Sequence, residues 1–118
     1  MHMYNHCIGI PDFFLTGLHA EPGTNATSRE LNALVDVYDQ ASALFQTNSG
    51  VLLGDFNADC QYLSNTRYNR LILVTDDRFT WLLNEDSTTG STVCAYDRLV
   101  ECMHIAMLQN ICTGISVI

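Results

Sequence analysis

The sequence predicts a single α/β domain, and three observations carry that prediction. Compact apolar runs of five or six residues are separated by one long stretch with helical periodicity. The chain has 118 residues, room for one domain where domains usually hold about 100–150 residues. Its composition, 47% apolar and 15% charged with two prolines, is that of a chain that packs a core, and excludes disorder and low-complexity repeats.

The first element is FFLTGL at 13–18, whose length and aromatic content favour a buried strand. The loop EPGTNATS follows, with Thr27 and Glu30 at capping-box spacing. From there Leu31, Leu34, Val35, Tyr38, Ala41 and Phe45 recur at helical intervals, which predicts an amphipathic helix ended by Asn48-Ser49-Gly50. VLLGDF at 51–56 is again a strand running into polar residues. Further strands are expected at LILVT (71–75), FTWLL (79–83) and AYDRLV (95–100), with NEDSTTGST (84–92) as a turn-rich connection. No internal repeat is visible.

Charge and hydropathy bound the partners. Five basic residues against 13 acidic ones give a net charge of −8, so a nucleic acid could not be held by a broad basic patch, and metal ions would have to screen it. No window approaches the roughly 18 apolar residues of a membrane span, and MHMYNHCIGIPDFF lacks a basic region followed by an apolar one. Neither signal peptide nor membrane anchor is expected in the chain as written. Five cysteines, at 7, 60, 94, 102 and 112, are an odd number that leaves at least one without an internal partner, so the redox compartment stays open. Asn25-Ala26-Thr27 fits an N-glycosylation acceptor, although Thr27 also has a local use as a helix cap.

The most informative segment is GDFNADC, 54–60. Side chains two apart on a strand share a face, so Asp55 and Asn57 project together. A carboxylate holds a hard cation such as Mg²⁺ while a carboxamide donates to a phosphate oxygen, a pairing suited to phosphate-ester chemistry. The same residues also make an ordinary strand-ending turn. Asp97 and Arg98 in CAYDR either stand at the solvated mouth of another strand or supply a carboxylate that orients a histidine or binds metal. His19, at the end of FFLTGL, is either a surface residue or a general acid or base. His2, His6 and Cys7, or Cys102, His104 and Cys112, lack a recognisable zinc spacing.

Taken jointly, Leu18-His19-Ala20 with a following proline, LVDVYDQA, LLGDFNADCQYL, RFTWLL, DSTTGST and CAYDR resemble the deoxyribonuclease I family of the endonuclease/exonuclease/phosphatase superfamily, over about residues 12–100. The resemblance implies a partial two-sheet α/β sandwich, about half of the full fold, between an unmatched segment 1–11 and an unmatched apolar tail 101–118. It implies Mg²⁺-dependent (or Mn²⁺-dependent) endonucleolytic cleavage of DNA by a secreted enzyme. Under it, His19 is one of two catalytic histidines, Asp55 and Asn57 engage metal and phosphate, and Asp97 orients the second histidine. Thr92 and Tyr96 approach the DNA backbone, Cys60 and Cys94 form a disulfide, and Asp86, Thr88 and Thr92 resemble a structural Ca²⁺ loop with Gly90 where a threonine is common.

The resemblance also implies missing parts: acidic strands that precede the first histidine, and a Ser-Asp-His segment that carries the second. His104 stands in an unrelated context. The expectation is therefore a fragment or truncated form, catalytically weak or inactive alone, in which His19 lacks its acidic partner and the other half of the fold or a partner chain is needed. The alternative is a non-catalytic binding form that uses the tail, where Val100, Met103, Met107 and Ile111 recur at roughly helical spacing.

Overall fold

The computed structural model describes residues 2–4, 12–83 and 93–102. They form one mixed sheet with strand order β1-β2-β3-β5-β4. Strand β1 (His2–Tyr4) pairs antiparallel with β2 (Phe13–Gly17), and β2 runs parallel to β3 (Gly50–Asp55). β3 is antiparallel to β5 (Asp97–Cys102), whose other side takes the short β4 (Phe79–Trp81). A parallel pair needs a crossover, and helix α1 (Ala26–Phe45) supplies it between β2 and β3.

α1 covers one face of the sheet. Its Leu31, Leu34, Val35, Tyr38 and Ala41 join Phe14 of β2, Leu52 of β3, and Val100 and Cys102 of β5 in the main core. All five helical positions are those the periodicity predicts. Ring contacts brace this layer: Tyr38 lies between Phe14 (5.7 Å) and Phe79 (5.1 Å, edge-on). The Tyr38 hydroxyl donates to the Asn48 carbonyl at 2.8 Å, which ties the body of α1 to the loop that leads into β3. On the sheet's opposite face Phe13 and Val51 are buried beside half-buried Leu15, Leu53 and Leu99, as the period-two alternation of strands requires.

Three expectations are corrected. LILVT is not a strand: after Leu71 the chain makes a single turn, α3 (Ile72–Thr75). Leu71 and Leu73 are buried while Ile72 is exposed, so this turn mimics strand alternation, and a five-residue apolar run fits either state. The Asn32 side chain on α1 settles the matter by accepting from the Ile72 N–H at 3.1 Å. Second, Thr27 does not cap α1. The N-cap position falls two residues earlier, at Asn25, and Thr27 is buried in the first turn. There its hydroxyl donates to the Glu21 carbonyl and accepts from the Gly23 N–H, while Glu30 accepts from the Glu21 N–H. The capping-box residues therefore brace the incoming loop rather than the helix end. Third, β4 stops at Trp81, and β5 begins at Asp97 and continues through Glu101 and Cys102.

A further helical turn, α2 (Asn65–Tyr68), is capped by Ser64, whose hydroxyl accepts from the Arg67 N–H. Arg78 closes the α1 side by hydrogen-bonding Asp76 and Asp39 and lying over the Tyr38 and Phe79 rings. Its hydrogen bonds hold the Asp76 carboxyl below the usual carboxylate range. Residues 103–118, which include His104 and all of the tail except Glu101 and Cys102, and residues 5–11, which include His6 and Cys7, lie outside the described residues. No helix among the described residues is long and apolar enough to cross a membrane.

Cys102 is a buried free thiol in the main core. Burial above all pushes its pKa up from 9.0 to about 12. A raised thiol pKa favours the folded state fully below 9.0, and that stabilisation is lost as pH rises through about 12. Iodoacetamide at about pH 8 should therefore leave Cys102 unlabelled in the native protein and label it after unfolding in urea. Native-state labelling of the Cys102 peptide would contradict this burial.

Candidate active site

The sheet brings three of the sequence-predicted site residues to one end. β2 and β3 are parallel and in register from Phe14↔Gly50 to Gly17↔Leu53, and the ladder continues past the strand, with Leu18 N–H donating to the Leu53 carbonyl (3.0 Å) and Ala20 N–H to the Asp55 carbonyl (2.9 Å). His19 is thereby set beside Asp55, and its Nε2 lies 3.5 Å from Asp55 Oδ2. Asp55 is thus an acidic neighbour of His19, distinct from the preceding acidic strand residue that the resemblance implies as its partner. On the other side, Asp55 is paired directly with Asp97 across the antiparallel β3–β5 ladder. Opposite residues in such a ladder share a face, so His19, Asp55 and Asp97 form a row across three strand ends.

Two backbone features allow this approach. Gly54 has φ +139°, and a Cβ there would collide with the Leu18 carbonyl. Asn57 has φ +49°, the left-handed region that asparagine enters more readily than most residues. Its N–H donates to Asp55 Oδ1 (3.1 Å), and its side-chain Nδ2 donates to the Ala20 carbonyl (2.8 Å). Asn57 is almost fully buried, at 5% exposure. One residue thus orients the Asp55 carboxylate and clamps the loop that follows His19, so the carboxamide faces the protein backbone.

The residues on either side of Asn57 are fastened to the segment that leads into β5. Phe56 N–H donates to the Tyr96 carbonyl at 2.8 Å, and Asp59 Oδ2 accepts from the Ala95 N–H at 2.8 Å. Cys60 and Cys94 are joined in a disulfide with Cα atoms 5.9 Å apart, the pairing the resemblance implies. Its 34-residue separation corresponds to about 4 kcal/mol in the chain-entropy account. Arg98 is not at a solvated strand mouth. It is 6% exposed, donates to the Ala58 and Leu83 carbonyls, and lies over the Tyr68 and Trp81 rings. Burial holds its pKa below the ordinary arginine value.

Tyr96 stands beside Tyr62, ring centroids 5.6 Å apart. Burial, and then Tyr62, Asp59 and Asp55, push its phenol pKa up, so at neutral pH it remains a hydroxyl donor next to the carboxylates. Asp86, Thr88 and Thr92, the residues assigned to a Ca²⁺ loop and a phosphate contact, lie outside the described residues. Among the described residues no group of three or more His, Cys, Asp and Glu converges as a metal cage. Asp55 and Asp97 are the neighbouring hard oxygen donors.

The roles of Gly54, Asp59, Arg98 and the Ala20 carbonyl are absent from the sequence reading. The Asn57 to Ala20 bond spans 37 positions, and the Asp59 to Ala95 bond 36. No local spacing signals either.

The comparisons agree with this architecture. No family model matches the chain. Among curated proteins, the chain is 43% identical over 108 residues to deoxyribonuclease-1-like 1 of Bos taurus, an alignment covering 89% of this chain and 33% of the relative. It is 40% identical over 96 residues to deoxyribonuclease gamma of Mus musculus, covering 79% and 30%. It is 37% identical over 98 residues to deoxyribonuclease-1 of Bos taurus, covering 81% and 34%. The chain belongs to the deoxyribonuclease I family, and its α/β sheet with helices on one face is a partial fold of that family. It spans about a third of the length of these relatives.

Asn57 separates two contributions to the site's stability. Replacing it with glycine keeps the left-handed backbone accessible but leaves the buried Ala20 carbonyl unpaired, a loss of about 1–3 kcal/mol. Replacing it with alanine adds backbone strain of several tenths to about 1 kcal/mol. Urea midpoints should fall in the order wild type, Asn57→Gly, Asn57→Ala. Equal midpoints for all three would show that the clamp contributes nothing.

Proposed function

We propose that this chain carries part of the hydrolytic centre of a metal-dependent endodeoxyribonuclease of the secretory route, with DNA as its substrate. The observation that carries the reading is the row of His19, Asp55 and Asp97 across three adjacent strand ends. Names of relatives that are deoxyribonucleases support the substrate class. The disulfide is a feature of oxidising compartments and supports the location.

In this reading His19 moves a proton at the scissile phosphate, and Asp55 beside it offers an oxygen to Mg²⁺ or Mn²⁺. Asp97 offers the second oxygen. Mg²⁺ is commonly held by one or two carboxylates with water and phosphate oxygens completing its shell, so two strand-end carboxylates fit it. The bound ion would screen the phosphate and stabilise charge that develops on its oxygens, which a chain of net charge −8 otherwise repels. Tyr96 donates to a phosphate oxygen from the same end. Asn57 acts as the positioning residue that fixes Asp55 and the His19 loop. A Ca²⁺ site at Asp86, Thr88 and Thr92 belongs to the proposal on resemblance alone.

Phosphodiester hydrolysis needs one group to take a proton from water and another to give one to the leaving oxygen. Among the described residues His19 is the one histidine at this end, so the chain alone should nick supercoiled plasmid weakly or not at all with Mg²⁺ and Ca²⁺. Residues 12–102 exchanged for the matching segment of bovine deoxyribonuclease-1 should restore Mg²⁺-dependent nicking. In that chimera His19→Ala and Asp55→Asn should each cost at least about 100-fold. A folded chimera that is inactive, or whose activity ignores both substitutions, would overturn the assignment.

A further inference from the structure

The sole Asn-X-Ser/Thr triplet in the sequence, Asn25-Ala26-Thr27, is unused by the site. Asn25 occupies the N-cap position of α1, where an asparagine side-chain oxygen normally accepts from the first turn. Here it makes no capping bond. The first-turn donors are served otherwise, Thr27 N–H by the Gly23 carbonyl and Arg29 N–H by the Asn25 carbonyl. The side chain is instead exposed, and its Oδ1 accepts from Arg67 Nη1 at 2.8 Å. Arg67 also donates to the Thr24 carbonyl, so the guanidinium fixes the orientation of the carboxamide. Among the described residues nothing accepts from Asn25 Nδ2.

We propose that Asn25 is an N-glycosylated residue. The chemistry is a group transfer without redox change. Asn25 Nδ2 forms a bond to the anomeric carbon of the first N-acetylhexosamine of a lipid-diphosphate-linked oligosaccharide. The bond from that carbon to the diphosphate oxygen breaks, the electron pair leaves with the lipid diphosphate, and the proton lost from Nδ2 leaves with it. The product amide retains Oδ1, so its bond from Arg67 survives, and it retains one N–H. The folded protein accommodates the glycan without losing a contact.

The fold also sets the order of events. Recognition of the triplet requires the Thr27 hydroxyl, yet Thr27 is 0% exposed and its hydroxyl is engaged by Glu21 and Gly23. Transfer therefore precedes closure of the first turn of α1, on the extended chain, in the compartment where Cys60 and Cys94 oxidise.

This inference rests on the secretory reading given above, and the test keeps the two apart. The full chain is expressed in animal cells behind a cleavable secretion leader, and both lysate and medium are analysed, since transfer precedes folding and a retained chain carries the glycan too. Peptide N-glycosidase should increase the mobility of the wild type and of Thr27→Ser, and leave Asn25→Gln and Thr27→Val unchanged. The treated wild-type peptide should carry aspartate at position 25. A chain whose leader has been removed but whose Asn25 peptide is unmodified overturns the site while leaving the nuclease reading untouched. A shift that persists in Asn25→Gln overturns it equally.

Discussion

The structure depends on the close parallel approach of β2 and β3 beyond the end of the sheet. Backbone bonds from Leu18 to Leu53 and from Ala20 to Asp55 hold two strand ends together at a point where most sheets splay into loops. Such an approach leaves no room for a side chain at position 54, which is why glycine stands there. It also needs a partner for the Ala20 carbonyl, which Asn57 supplies. The placement of His19 against Asp55 follows from this pair of strands, since the side-chain contact itself is solvent-exposed and exposed contacts of this kind do little to set geometry.

The third strand end is fixed by a different means. β5 reaches the site through Asp97, and the loop after β3 is stitched to it by the Phe56 and Ala95 backbone bonds, the Cys60–Cys94 disulfide and the buried Arg98. Arg98 extends from the α1 face to the Ala58 carbonyl while its neighbour Asp97 projects from the opposite face. Packing on one face of the sheet is thereby transmitted to the carboxylates on the other.

Much of the fold was legible because its periodicity is local. The 3.6-residue spacing from Leu31 to Ala41 and the compact runs FFLTGL and VLLGDF identify α1, β2 and β3. LILVT reads as a strand because Leu71 and Leu73 alternate with Ile72 as strand residues would, while the hydrogen bond that decides for a turn runs from the Ile72 N–H to the Asn32 side chain on α1. The candidate site was legible in its residue types and only partly in its geometry. His19, Asp55 and Asp97 could be named from their motifs, but their adjacency is a matter of register between strands. Arg98 reads as a surface charge beside Asp97 until Tyr68 and Trp81 enclose it, and neither ring is near it in sequence.

The central proposal is that three strand ends form one site that takes a divalent cation through Asp55 and Asp97. A titration of the ¹⁵N-labelled chain with Mg²⁺, followed by amide chemical shifts, tests it without any need for catalysis. The account predicts saturable shifts confined to His19–Ala20, Asp55–Asn57 and Tyr96–Asp97, and their loss in the Asp55→Asn, Asp97→Asn double variant. Saturable shifts elsewhere, or none at these strand ends, would contradict it.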